Sequence, residues 1–226
     1  VLHLVEALAI PKSTAYELVK TLQSAGYLEK DPGGAWFLGR KLFELGMAYR
    51  SQRDLLKEGT HVVEALRDET GETVQLSVLD ADYMVVLLKE EGTQPIRIVS
   101  RVGSRVPVNW AAAGRLLASD LDDKALRLLL ARTVKPSPTG AAPTDLDILV
   151  KQIRRYRQDG VAVELNETNA HAGCVAAPVL DARGRVVAAI SVVAPEQRLS
   201  KGSRVALIAA VKRAAATLSA ALGGPG

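Results

Sequence analysis

The strongest constraint on this fold lies in one stretch, Ile10-Pro11-Lys12-Ser13-Thr14-Ala15-Tyr16-Glu17-Leu18-Val19-Lys20-Thr21-Leu22. A proline is tolerated at the head of a helix, where the N–H it lacks would be unpaired in any case. Behind it, Ala15, Leu18, Val19 and Leu22 follow the i, i+3, i+4, i+7 spacing of a buried helical stripe. Ser13, Tyr16, Glu17, Lys20 and Ser24 fall on the opposite face, and Gly26 closes the helix. One apolar face and one face of small polar and basic groups suit a helix lying in a DNA groove. The same face also suits plain solvation.

The neighbouring residues favour the first option. Leu4, Val5 and Leu8 share one side of a short helical piece over 2–8, which Ala9-Ile10-Pro11 breaks. Tyr27-Leu28-Glu29-Lys30, Asp31-Pro32-Gly33-Gly34 and Ala35-Trp36-Phe37-Leu38 read as strand, tight turn and strand. Helix, turn, helix and hairpin outline a winged helix-turn-helix over 1–39. Such a domain normally has an earlier helix, so the outline is expected to lack its first. Residues 40–53 are expected as a linker helix, with a second domain over 54–226 that opens on a helix at about 54–69.

That second domain alternates differently. Strand-like runs occupy 73–79, 83–89, 96–101, 161–165, 174–180 and 186–193. Helical patterns fall at about 111–119, 122–132, 145–159 and 200–222. Six strands among several helices predict an α+β sensor domain with a largely antiparallel sheet. The formal net charge of +4 is compatible with nucleic acid without being diagnostic, and the first fifty residues carry six basic against five acidic groups. The single cysteine, Cys174, excludes an intrachain disulfide and points to a reducing compartment. The longest charge-free apolar run, 186–195, is too short for a bilayer, and the start of the chain has no basic n-region. A cytoplasmic protein with no membrane partner is expected.

Two candidate chemistries stand in the second domain. Asn109-Trp110-Ala111-Ala112-Ala113-Gly114 opens a helix, with Asn109 as its cap and small residues that leave backbone N–H groups open to a carboxylate. Cys174 could serve as a nucleophile with His171 as base, but no phosphate loop, dinucleotide fingerprint or zinc-protease signature accompanies it. His3, His61 and His171 lack metal-ligand spacing with Cys174. The expectation is a non-enzyme with no catalytic residue, cofactor or metal. A sensor without DNA binding and a cysteine-dependent enzyme remain the alternatives.

Pro11-Lys12-Ser13-Thr14, Gly26-Tyr27-Leu28, Leu38-Gly39, Gly71-Glu72-Thr73-Val74, Arg101-Val102-Gly103 and Ala113-Gly114 occur in order along the chain. Gly160, Glu164, Glu167, Cys174-Val175-Ala176-Ala177-Pro178-Val179, Gly184 and Ala188-Ala189-Ile190-Ser191 follow them. Together they resemble the isocitrate lyase regulator (IclR) family over nearly the whole chain. The resemblance implies a bacterial transcription regulator with a GAF-like C-terminal effector domain. It would act as a homodimer or dimer of dimers on double-stranded, near-palindromic operator DNA, controlled by a small organic acid. It places Lys12, Ser13, Thr14, Tyr16, Glu17 and Lys20 on the DNA-reading helix and Lys30 in the wing, with Glu17 standing where arginine is common. It implies an effector pocket of Trp110, Ala112, Ala113, Glu164, Cys174 and Ser191. Val193 replaces a serine of some acid-binding members and Trp110 a small hydroxyl residue, which points to an aromatic or branched carboxylate.

Overall fold

A computed structural model of the chain describes residues 2–52, 54–94, 101–199 and 201–225. The chain divides into two compact units, Val1–Arg53 and Asp54–Gly226.

Unit 1 holds α1 (Leu2–Leu8), α2 (Lys12–Ser24), the hairpin β1 (Leu28–Lys30) and β2 (Trp36–Leu38), and α3 (Arg40–Gln52). The turn from α1 to α2 passes through Ala9 in the left-handed region, φ 49°, before Pro11 sets the helix start. Gly26 follows the end of α2 at φ +77°, and a Cβ on Gly39 would stand 2.2 Å from the Gly26 carbonyl oxygen. The Gly39 N–H donates to Tyr27 O at 2.8 Å, so these two glycines let the hairpin close against the end of α2. Asp31 shapes the hairpin turn by accepting the Ala35 N–H at 2.8 Å.

The stripe predicted on α2 is only half buried. Ala15 and Val19 are inside, while Leu18 and Leu22 are exposed. The i, i+3, i+4, i+7 stripe spans more of the helix than α1 and the hairpin cover within the unit. Leu4 and Leu8 of α1 are exposed for the same reason.

Unit 2 is built on a six-stranded antiparallel sheet of β3 (Thr73–Asp80), β4 (Tyr83–Glu90), β5 (Arg105–Pro107), β6 (Ala162–Leu165), β7 (Ala172–Leu180) and β8 (Val186–Pro195). The strand order is β5-β4-β3-β8-β7-β6. The predicted strand at 96–101 lies, apart from Arg101, outside the described residues, and the sixth strand of the sheet is the three-residue β5. Arg105 of this strand pairs with Asp80 at 2.6 Å.

Residue alternation assigns the two sheet faces. Val74, Leu76, Val175, Ile190 and Val192 pack against α4 (Asp54–Thr70) and α8 (Lys201–Ala221) through Val63, Leu66, Val211 and Leu218. The other face carries Met84, Val86, Cys174, Ala176 and Ala189 and meets α5 (Ala112–Leu117). A third cluster joins α6 (Asp123–Thr133) to α7 (Leu146–Asp159) through Leu126, Leu130, Leu149 and Ile153. Asp122 and Asp145 cap these helices by accepting the N–H groups of Ala125 and Ile148, and Gly160 ends α7 at φ 64°. No helix among the described residues is long and apolar enough to cross a membrane.

Candidate functional site

The register of unit 2 brings polar residues from four strands onto one face. Glu164 of β6 lies opposite Cys174 of β7, which lies opposite Val193 of β8. In the next row Ala162 faces Ala176, Ala176 faces Ser191, and Ser191 faces Gln75 of β3. Beneath α5 these rows enclose a cavity of about 90 Å³ lined by Ala113, Glu164, Cys174, Ser191 and Val193. Gln75 and Met84 complete its floor, and Thr168 and Asn169 of the β6–β7 connection close one side. Two non-glycine residues in the left-handed region, Asn166 (φ 61°) and His171 (φ 60°), bracket that connection.

The walls are mainly aliphatic. Among the described residues no lysine, arginine, histidine or aromatic side chain lines the cavity. Its one carboxyl is Glu164, 5% exposed. Burial is the main force on this group and pushes its pKa up to about 7. N–H donation from Glu167 and Thr168 and the Arg115 guanidinium pull the other way, while the Glu167 carboxylate adds to the rise. The Cys174 thiol is driven far above its ordinary value, first by burial and then by Glu164, although the Ser191 hydroxyl beside it acts in the opposite sense. A thiol so shifted stays protonated and is a weak nucleophile.

A buried network supports this wall. Arg115 of α5 is fully buried; its Nε and Nη2 donate to Asn109 O at 3.2 and 2.7 Å, and Nη2 also meets the Glu167 carboxylate. Its Nη1 is buried with no hydrogen-bond partner among the described residues. Glu167 N donates to Glu164 Oε2 at 3.0 Å, Thr139 Oγ1 to Glu167 O at 2.6 Å, and Thr168 Oγ1 to Trp110 O at 2.8 Å. The β6–β7 connection is thereby tied to α5 and to the cavity's own carboxyl.

Several expectations for this region need correction. Asn109 does not cap α5: its amide donates to Lys135 O and Pro143 O, and Ala111 occupies the cap position with no side-chain bond. Helix α5, at whose start the anion cradle is expected, has only six residues, and the backbone N–H of Ala113 acts on the Cys174 thiol. Ala112 is fully buried in the core and does not line the cavity. Trp110 does not line it either, since its indole N–H donates to Lys135 O at 3.0 Å. Gln75, Arg115, Thr168 and Asn169 were not singled out from the sequence. A polar residue at an inward position of the apolar strand Val74-Gln75-Leu76 was the available signal for the first. Among the described residues no group of three or more His, Cys, Asp or Glu is placed to hold a metal ion.

In unit 1, Lys12, Ser13, Thr14, Tyr16, Glu17 and Lys20 are all exposed on α2. The Lys30 ammonium lies 5.5 Å from the Trp36 ring centroid at the hairpin.

Known proteins resemble both units. Residues 47–220 match the family of the bacterial transcriptional regulator IclR C-terminal domain, and residues 3–32 match the IclR helix-turn-helix domain. The HTH-type transcriptional repressor AllR of Salmonella typhi is 31% identical over 218 residues, covering 96% of this chain and 80% of that protein. AllR of Escherichia coli K12 is 30% identical over 217 residues, with the same coverage. An IclR transcriptional regulator from Alicyclobacillus acidocaldarius superposes with a TM-score of 0.87 at 25% identity, over 98% of this chain and 90% of that one. An IclR homologue from Microbacterium hydrocarbonoxydans complexed with 4-hydroxybenzoate gives 0.81 at 23% identity, over 96% and 88% of the two chains.

Proposed function

Because the chain belongs to the IclR family of bacterial transcriptional regulators, we propose that a small organic acid in the unit 2 cavity sets its affinity for operator DNA. The observation that carries this reading is the mainly aliphatic cavity beneath α5, whose lining sets Glu164, Ser191 and Gln75 among methyl and methylene groups. Such a cavity suits a compact apolar body with one polar head. The 4-hydroxybenzoate complex of a protein of the same fold supports a ligand of this class. With no aromatic side chain in the wall among the described residues, the ligand body meets methyl and methylene groups there.

In this reading residues 1–39 form the reader, 40–53 a linker helix and 54–226 the effector domain. Two copies present two α2 helices to successive major-groove half-sites. Lys12 and Lys20 neutralise phosphates; Ser13, Thr14 and Tyr16 reach phosphate or base edges; Glu17 accepts from cytosine N4; Lys30 serves the flanking backbone. The acid binds one arrangement of the dimer more tightly and so shifts operator affinity. AllR is named a repressor, which supports repression as the default action.

The test pairs thermal shift with DNA binding. Glyoxylate, pyruvate, branched 2-oxo acids and 4-hydroxybenzoate are screened for a rise in Tm. The hits are then added to fluorescence anisotropy on DNA from upstream of the gene. The expected result is an acid that raises Tm by several degrees and changes DNA affinity about 5-fold to 150-fold. Binding that leaves DNA affinity unchanged defeats the reading.

A further inference from the structure

Charge around the cavity does not balance for an incoming anion. Glu164 is faced by Cys174 from β7, by Arg115 from α5 and by Glu167 from the β6–β7 connection. The thiol is neutral. The one guanidinium among the described residues there is held through Nε and Nη2 by Asn109 O and the Glu167 carboxylate, and its residue does not line the cavity. With Glu164 ionised, two carboxylates among the described residues stand against one cation, and an acid ligand would bring a third negative charge into the cavity. Like-charged carboxylates in such a site share a proton instead.

We propose that Glu164 meets the effector's carboxylate as a neutral acid, so that wherever Glu164 is ionised in the empty cavity one proton from solvent enters with each ligand molecule. The inference rests on the reading of the cavity as an organic-acid site, and it makes Glu164 the residue that selects for acids. Both backbone N–H groups at Glu164 are donors that a neutral carboxyl oxygen can accept, which leaves the carboxyl O–H to donate to the ligand. The bond formed is a short charge-assisted O–H···O⁻ contact. No lining cation is needed, which fits a wall that has none among the described residues.

Isothermal titration of the full chain with 4-hydroxybenzoate, pyruvate and their primary amides tests this, at pH values from about 6.5 to 8.5. Buffers of different ionisation heat report the protons taken up. Since only the protonated form is competent, acid affinity is expected to fall about 25-fold across that range, with uptake approaching one proton per ligand at the alkaline end. In E164Q the amide N–H replaces the O–H donor, so acid affinity becomes independent of pH and proton uptake vanishes. The buffer-heat measurement on the unsubstituted protein stands even if E164Q misfolds. Acid binding without proton uptake at the alkaline end overturns the inference and leaves the acid-site reading intact. Amides that bind as tightly as the acids throughout the range, or acids that bind at no pH, overturn both.

Discussion

In unit 1 the described core is thin. Ala15 and Val19 are buried, while Leu18, Leu22, Phe37, Leu38 and Phe43 lie exposed. In unit 2 both faces of a six-stranded sheet are covered, and the interior admits Arg115, Asn109, Gln75, Ser191 and Glu164 beside its aliphatic clusters. The reader carries its polar chemistry outside, on a face that needs only a correct helix. The sensor carries its polar chemistry inside, where each group depends on partners far away in sequence. Substitution in unit 1 is therefore expected to act through affinity or local closure, and substitution in unit 2 through stability and ligand response together.

The largest test of this contrast is Arg115→Met. Removing the buried cation leaves the Glu167 carboxylate uncompensated beside Glu164, at an expected cost of about 3–5 kcal/mol. Chemical denaturation of unit 2 should show this, together with loss of acid binding. Retention of full stability would mean that the network contributes nothing to the sensor.

Glu164→Gln should produce an effect of about 3 kcal/mol, set by pH. A carboxyl titrating at about 7 when folded, against an ordinary 4.5, favours the fold only while it is protonated. Its contribution is complete below pH 4.5 and lost as pH rises through 7. The glutamine variant should match the unsubstituted protein in melting temperature at pH 4.5 and exceed it at pH 8. Parallel curves across that window would break the assignment.

Gly39→Ala belongs to the other unit. Its Cβ would meet the Gly26 carbonyl oxygen, so the hairpin must shift, at about 1–3 kcal/mol. DNA binding should fall sharply while the acid-induced thermal shift persists; loss of both would erase the contrast between the units.

The smallest effect is expected for Lys12→Ala, which should weaken DNA binding a few-fold for all sequences. It should also reduce the slope of log affinity against log salt by about one. Glu17→Arg should steepen that slope instead. An unchanged slope in both would remove α2 from the DNA interface.

Legibility from sequence follows the same division. Helix α2, its proline start, the Asp31 turn and the capped helices α6 and α7 are each specified by neighbours within a few positions, and all were readable. Resemblance grouped Glu164, Cys174 and Ser191 with Ala113, and the structure places all four around one cavity. Trp110 was misplaced because a sequence does not say which way an indole turns, and its partner is the Lys135 carbonyl 25 positions away. Arg115 joins Glu167 across 52 positions and gave no local signal. The strand β5 went unread because three residues ending in proline show no alternation.

The pairing of Glu164 with Cys174 and of Gln75 with Ser191 has a consequence for how such a sensor can diversify. Their strand neighbours Val74, Val175, Ile190 and Val192 project to the opposite side and hold α4 and α8. The pleat thus separates the side chains that face the cavity from those that hold α4 and α8, one residue apart along each strand. A library varied only at positions 75, 174, 191 and 193 would change the cavity wall while the side chains packed on α4 and α8 kept their identity. The price of that freedom is register: a slip of one residue in β8 would turn Ile190 and Val192 into the cavity and bury Ser191 among leucines and valines.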